Sequence, residues 1–313
     1  MRLAVIDCGT NTFNLLIVEF DNQKKYSKIF NARIPVKLGQ GSINKGFISE
    51  EPFKRGIDAI TTLHKEILKY DVSKILAFAT SAIRDADNGK DFVNEVKRQT
   101  QIDVEIINGD REAELIYLGN KEAVSLSDSV SLIMDIGGGS NEFILANNTG
   151  ILWKQSFPIG AARMLEKFAP SDPITIEEIV AIKEYMKTHL APLFDAANDF
   201  LPMELIGSSG AFDSVVDIIN GELNGESIND SKTCYEIKMS DYLHVSKIIK
   251  HSTLLERKKI KGLVPMRFDM IVISCMMIDF ILKSFNIPKM RVSTYSLKEG
   301  ALIDYIIQSG KIK

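Results

Sequence analysis

The 313-residue chain is 45% hydrophobic and 25% charged, a composition that builds packed cores and excludes a disordered or fibrous protein. A net charge of −3 leaves no basic footprint for nucleic acid, so a polyanion would have to be met locally by a few cations, backbone N–H groups or a metal. Cys8, Cys234 and Cys275 lack CxxC spacing and the four histidines form no HExxH pair, which argues against a disulfide framework and a zinc site and fits a reducing, cytoplasmic compartment.

The chain opens on a short apolar run, 3–6, broken at once by Asp7, so no signal peptide is read there. Tyr26–Arg33, Ile75–Ala79 and Val104–Ile107 read as strands. Ser49 is a candidate N-cap with Pro52 in the first turn, and Phe53, Ile57, Ile60, Leu63 and Ile67 follow at helical spacing. Further helices are expected after Asp85 and from about Asp110 to Glu122. Then come strand Leu152–Phe157, helix Ala161–Phe168, helix Thr175–Ala197 and strand Glu204–Ile206. A turn at 207–210 leads into another helix, and the polar stretch 221–233 reads as an exposed loop. The last third reads as helices Ser240–Lys250, Ser252–Lys259 and Met266–Phe285, strand Arg291–Ser293 and helix Leu297–Ile307. The apolar run 270–285 contains Asp279 and Lys283 and is too short to cross a bilayer, so it is read as a buried helix and no membrane is expected. Strands alternating with helices predict an α/β layered fold.

The chain also carries an internal repeat. Residues 4–17 (AVIDCGTNTFNLLI) align without gaps on residues 132–145 (LIMDIGGGSNEFIL), at a constant offset of 128. Asp7 falls on Asp135, Gly9 on Gly137 and the hydroxyl of Thr12 on that of Ser140. Each copy reads as an apolar strand ending in Asp, a Gly/hydroxyl turn and a second strand, and two copies favour duplicated domains over a solenoid. Small turn residues let N–H groups converge on an anion, so Gly9, Thr10, Asn11 and Thr12 in one copy and Gly137, Gly138, Gly139 and Ser140 in the other are candidate phosphate cradles. Asp7 and Asp135 cannot hold phosphate directly but can hold Mg²⁺, or Mg²⁺-bound water, that does. Glu142 can serve the same metal or point outward as a solvated strand residue.

These two segments resemble the paired phosphate motifs of the acetate kinase/hsp70/actin superfamily in the form used by the Ppx/GppA phosphatase family. AFATSAIRDADNG (77–89), IINGDREAELIYLG (106–119) and LIGSSGAFDSV (205–215) are similar to that family's further segments, in the same order. The resemblance implies two ribonuclease-H-like domains of the actin-like type with a cleft between them. The first would span 1–122 with the helix of about 297–313 packed back on it, and the second 123–296. It implies a cytoplasmic hydrolase of terminal phosphoanhydrides, acting on inorganic polyphosphate or guanosine pentaphosphate with Mg²⁺ or Mn²⁺, and a homodimer is compatible with it. Glu112 stands where the family has its water-activating base, as phosphoanhydride hydrolysis requires of a carboxylate near an in-line water. Arg84 is placed to clamp phosphate oxygens or to pair with Asp85 or Asp87. Gly207, Ser208, Ser209 and Gly210 match the superfamily's nucleotide-binding turn, here expected to touch the phosphate chain. Gly39–Gly41 resembles a loop at the substrate entrance.

The chain departs from the family pattern at Arg111, which adds a cation beside the presumed base, and at Ala211, Ser296 and Lys298. A superfamily kinase or ATPase, and a non-catalytic alarmone sensor, are the competing readings.

Overall fold

The structure, a computed structural model, describes residues 1–21, 25–224 and 232–310. Its frame is a pair of mixed sheets built to one plan. In the first, β1 (Arg2–Cys8), β2 (Thr12–Phe20) and β3 (Tyr26–Pro35) run antiparallel, and β4 (Lys74–Ala79) and β5 (Glu105–Ile106) add in parallel beside β1. In the second, β6 (Ser131–Ile136), β7 (Asn141–Asn147) and β8 (Gly150–Phe157) repeat the antiparallel run. There β9 (Glu204–Ser208) joins β6 in parallel, as β4 joins β1. β10 (Cys234–Ile237) pairs with β11 (Lys289–Ser293) to complete the order β10-β11-β9-β6-β7-β8.

Twelve α-helices are formed by the described residues. Before the second sheet come α1 (Glu50–Ile67), α2 (Ser81–Arg84), α3 (Gly89–Thr100) and α4 (Gly109–Ala123). Between β8 and β10 lie α5 (Ala161–Phe168), α6 (Ile176–His189), α7 (Ala191–Phe200) and α8 (Gly210–Ile218). The remaining four are α9 (Met239–His251), α10 (Leu254–Arg257), α11 (Ile271–Ser284) and α12 (Leu297–Gln308).

Strand periodicity distributes these helices. Ala4, Ile6 and Cys8 face a core with Ile57, Ile60 and Leu63 of α1 and Phe92 and Val96 of α3. The alternate residues Leu3 and Val5 face the other way, onto Ile116 of α4 and Leu302 and Ile306 of α12. That same cluster takes in Ile133, Ile144 and Ile206 from the second sheet, so α4 and α12 lie sandwiched between the two sheets. The far face of the second sheet, through Leu132, Met134, Phe143 and Leu145, packs on Ile182, Phe212, Met276 and Ile278. The layers therefore run helix, sheet, helix pair, sheet, helix, with both faces of the central strands covered, which explains why β1, β2, β6 and β7 are apolar on both sides while the edge strand β3 keeps exposed residues.

The stretch expected as one helix, Thr175–Ala197, is broken at Leu190, and Pro192 takes the N-terminal turn of the second piece, where its missing N–H costs nothing. The helix expected from Met266 starts only at Ile271, after a 3₁₀ turn at Pro265–Arg267. Ser252–Lys259 supplies a single turn, α10. Within the polar stretch 221–233, residues 219–224 continue α8 as a π-helical turn, and 225–231 lie outside the described residues, as does 311–313 beyond α12. No helix among the described residues is long and apolar enough to cross a membrane.

Candidate active site

The two Gly/hydroxyl turns face each other across a cleft enclosing about 840 Å³ of space open to solvent. It is lined by Asp7, Gly9–Thr12, Glu112, Asp135, Gly137–Ser140, Ser209 and Gly210, together with Asn14, Arg33, Asp213, Arg267, Ser296 and Lys298. The turns nearly touch: a Cβ added at Gly138 would lie 2.3 Å from Asn11 Nδ2 and 3.0 Å from Thr10 Cβ, so only glycine allows this approach.

Both turns have their carbonyls tied back into the protein. Ala161 N–H donates to Gly137 O at 2.9 Å, Ala162 and Arg163 N–H to Gly138 O at 2.9 and 3.0 Å, and Gly160 N–H to Gly139 O at 3.2 Å. The orphan donors at the start of α5 thus hold three consecutive carbonyls. A trans peptide sets C=O and the next N–H in opposite directions, so the N–H groups of Gly138, Gly139 and Ser140 face away from α5, toward the cleft they line. None of the three has a protein acceptor among the described residues. The first hairpin does the same with the segment after β3, which turns at Lys37 (φ 42°): Leu38 N–H donates to Thr10 O at 2.7 Å, and Val36 and Lys37 N–H to Asn11 O at 2.8 and 3.1 Å. Such converging N–H groups form an anion-binding nest. The Asn11 side chain is turned aside, its amide donating to Met270 Sδ.

The carboxylates sit between these nests. Asp7 accepts from Asn14 Nδ2 at 2.9 Å, and burial pushes it up to about 6. Asp135 accepts the hydroxyls of Ser209 (2.6 Å) and Ser296 (2.8 Å) on one oxygen, and burial raises it despite them. Ser296 thus adds a hydroxyl donor to Asp135. Ser209 holds its bond from a left-handed backbone conformation (φ 71°), a strained position for a residue with a Cβ. Glu142 is 1% exposed, not a solvated outward side chain; it lies behind the cleft, accepts from Ser156 Oγ at 2.6 Å, and is pushed up to about 7 by burial and then by Asp135.

Glu112 stands in the first turn of α4, which Asn108 caps by accepting Arg111 N–H. It is buried and lies well above the ordinary carboxylate range, chiefly through desolvation and then the Glu142 charge, with Arg84 opposing. Arg84 Nη1 donates to Glu112 Oε2 at 2.6 Å while its Nε donates to Asp85 at 3.2 Å. Of the partners weighed from sequence, Asp85 is engaged; the guanidinium also reaches Glu112, and it does not itself line the cleft. Arg111 is not beside the base: one helical position around, it pairs with Asp304 of α12 and with Glu114. Gly207 and Ser208 also miss the cleft. They close β9, Gly207 against the Phe212 ring and Ser208 donating to Tyr295 O, while Ser209 and Gly210 reach it.

Of the cations on the far wall, Lys298 stands out in the sequence as a departure from the family pattern, whereas Arg33 and Arg267 do not. Arg267, ahead of α11, is laid against Gly210, where an added Cβ would meet Nη2 at 1.7 Å. Its Nε is buried without a partner, its side chain makes no ion pair among the described residues, and burial followed by the Arg33 charge pulls it down to about 10. Arg33 pairs with Asp213 at 3.5 Å and Lys298 with Glu299 at 3.0 Å. Only the fold brings 33, 267 and 298 together; an arginine between a 3₁₀ turn and a buried helix carries no local signal of this.

No group of three or more His, Cys, Asp or Glu side chains is drawn together as a metal cage among the described residues. Four carboxylates around one cleft, three of them buried and Asp7 half-buried, all with raised proton affinity, do fit a divalent cation held by one or two of them with water and phosphate oxygens completing its shell.

A two-sheet α/β frame with an anion nest beside buried carboxylates defines a phosphate-handling enzyme. The Ppx/GppA phosphatase family profile matches residues 16–308, and the chain belongs to that family. Among solved structures, an exopolyphosphatase from Cytophaga hutchinsonii superposes with a TM-score of 0.95 at 39% identity, over 99% of this chain and 98% of that one. A bifunctional 3-dehydroquinate synthase/phosphatase of Fusobacterium nucleatum is 32% identical over 96% of this chain, which spans only 46% of that relative's length. A guanosine-5'-triphosphate,3'-diphosphate pyrophosphatase of Photobacterium profundum is 24% identical over 96% of this chain and 58% of its own.

Proposed function

We propose that the chain is an exopolyphosphatase-type phosphohydrolase that releases orthophosphate from the end of inorganic polyphosphate, or from guanosine pentaphosphate, by in-line attack of water. The observation that carries this reading is the Glu112–Arg84 pair at the edge of a cleft walled by the unpaired N–H groups of Gly138, Gly139 and Ser140. The relatives named for polyphosphate and guanosine polyphosphate chemistry support it.

In this reading the nests at 9–12 and 137–140 and the hydroxyls of Thr12 and Ser140 orient the terminal phosphates, while Arg267, Arg33 and Lys298 meet the rest of the chain. Glu112 accepts the proton of the attacking water; burial holds its proton affinity above that of an ordinary carboxylate, which makes it the stronger base. Arg84 holds Glu112 in orientation. Mg²⁺ or Mn²⁺, held by Asp7 and Asp135 with Glu142 behind them, would neutralise phosphate charge as the bond to the leaving group breaks. Residues 1–122 with the returning α12, and 123–296, are the two lobes of this cytoplasmic enzyme.

Orthophosphate release from polyphosphate, guanosine pentaphosphate and ATP, each with Mg²⁺, tests the reading. Release from either of the first two, with ATP slow, is expected. Release from ATP alone would favour a kinase or ATPase, and tight guanosine tetraphosphate binding without any release would favour a sensor.

A further inference from the structure

One cation near the second turn is used entirely on protein groups. Arg163, in the first turn of α5, has a side chain 14% exposed. Its Nε donates to Gly139 O at 2.8 Å and its Nη1 to Ile43 O at 3.0 Å. Its Nη2 donates to Asp85 Oδ2 at 2.9 Å and Ser81 Oγ at 3.3 Å. Gly139 belongs to the second sheet's hairpin; Ile43, Ser81 and Asp85 follow the first sheet. Asp85 divides its oxygens, Oδ2 to Arg163 and to the Ser81 hydroxyl (2.9 Å), Oδ1 to Arg84 Nε. Arg84 in turn reaches Glu112. Charge alternates over four residues, Arg163, Asp85, Arg84, Glu112, from one hairpin to the carboxylate across the cleft.

We propose that Arg163 is a positioning residue for the hydrolytic step, an assignment that rests on the reading of Glu112 as base. By occupying Oδ2 of Asp85 it leaves only Oδ1 to Arg84, so the Arg84 guanidinium bonds Asp85 through one nitrogen and keeps Nη1 for Glu112. Without Arg163 the Oδ2 of Asp85 keeps only the neutral Ser81 hydroxyl and no cation, and the bidentate fork that arginine and carboxylate prefer draws the guanidinium off Glu112. The same Arg163 side chain also donates to Gly139 O, but Gly160 N–H holds that carbonyl as well, so the anion nest keeps its shape without Arg163. A clamp that merely joined the two halves would contribute to stability alone.

Arg163→Gln is expected to lower kcat on polyphosphate by on the order of tenfold to hundredfold, as small misplacements of reacting groups do, with KM within about threefold. Asp85→Asn in the same chain removes the charge that draws Arg84 away and restores most of the lost kcat. An unchanged kcat in Arg163→Gln, or a double variant no faster than the single one, overturns the assignment. A second readout does not need activity. Arg163 and Glu112 share no hydrogen bond, so the urea midpoints of Arg163→Gln and Glu112→Gln should shift additively unless Asp85 and Arg84 link them. Non-additive shifts that become additive in the Asp85→Asn background are expected, and additive shifts throughout overturn the assignment. A wild-type chain that cleaves no substrate would refute the phosphohydrolase reading on which the assignment rests, while the urea cycle would still decide whether Arg163 is coupled to Glu112 through Asp85 and Arg84.

Discussion

Burying carboxylates without enough counter-charge makes the metal-free protein less stable as pH rises. Asp7 is pushed from 3.8 to about 6 and Glu142 from 4.5 to about 7, desolvation being the largest cause in each. A group whose proton is held more tightly in the folded state contributes stability that is complete below its unfolded value and lost as pH passes through the folded one. Two units on Asp7 correspond to about 3 kcal/mol at roughly 1.36 kcal/mol per unit. Asp135 and Glu112 act in the same direction. The depressed carboxylates, such as Glu204 and Glu299, lose their contribution only below about pH 4.5, outside this window. Urea unfolding in EDTA between pH 5 and 8 should therefore show a loss of at least about 3 kcal/mol on going to pH 8. Asp7→Asn should remove its share of that slope, and Mg²⁺ at pH 8 should recover stability by binding the folded state alone. Stability that is flat or rises over this range, or an Asp7→Asn slope equal to the wild type's, would refute the reasoning.

Glu112→Gln should reduce kcat by about 10²–10⁴ while polyphosphate binding by calorimetry stays within about threefold; unchanged turnover would remove it as base. Gly138→Ala places a methyl within 2.3 Å of Asn11 Nδ2 and must part the two hairpins, at a cost of about 1–3 kcal/mol and with phosphate release falling more than stability alone explains. Arg267→Leu removes a buried cation with an unpartnered Nε. It should raise KM for polyphosphate by about tenfold or more, the weight of a charge-assisted hydrogen bond, with the melting temperature unchanged or higher.

The hairpins were legible because a strand, an acidic end and a small-residue turn are local, and a gapless offset between two copies is visible without structure. Helix Ala161–Phe168 was placed to the residue by its own periodicity. The break at Leu190 had a local signal too, Pro192, which apolar spacing on either side outweighed. What lay beyond the sequence is what only tertiary contact creates. Nothing in 36–38 or 160–163 announces that their N–H groups will hold the carbonyls of turns far away in the chain. The direction of a side chain on a formed helix is another such property, and it sends Arg111 to Asp304 while its neighbour Glu112 points into the cleft. Gly207 and Ser208 were read as part of a turn, but β9 extends through both and draws them into the core.

The tied-back carbonyls separate two qualities that usually travel together, rigidity and protection from solvent. Gly138, Gly139 and Ser140 are pinned from behind by α5, yet their amide protons have no protein acceptor among the described residues. Their exchange with solvent hydrogen would thus report the occupancy of the cleft rather than any loosening of the fold, making the turn a built-in gauge of whether phosphate is present.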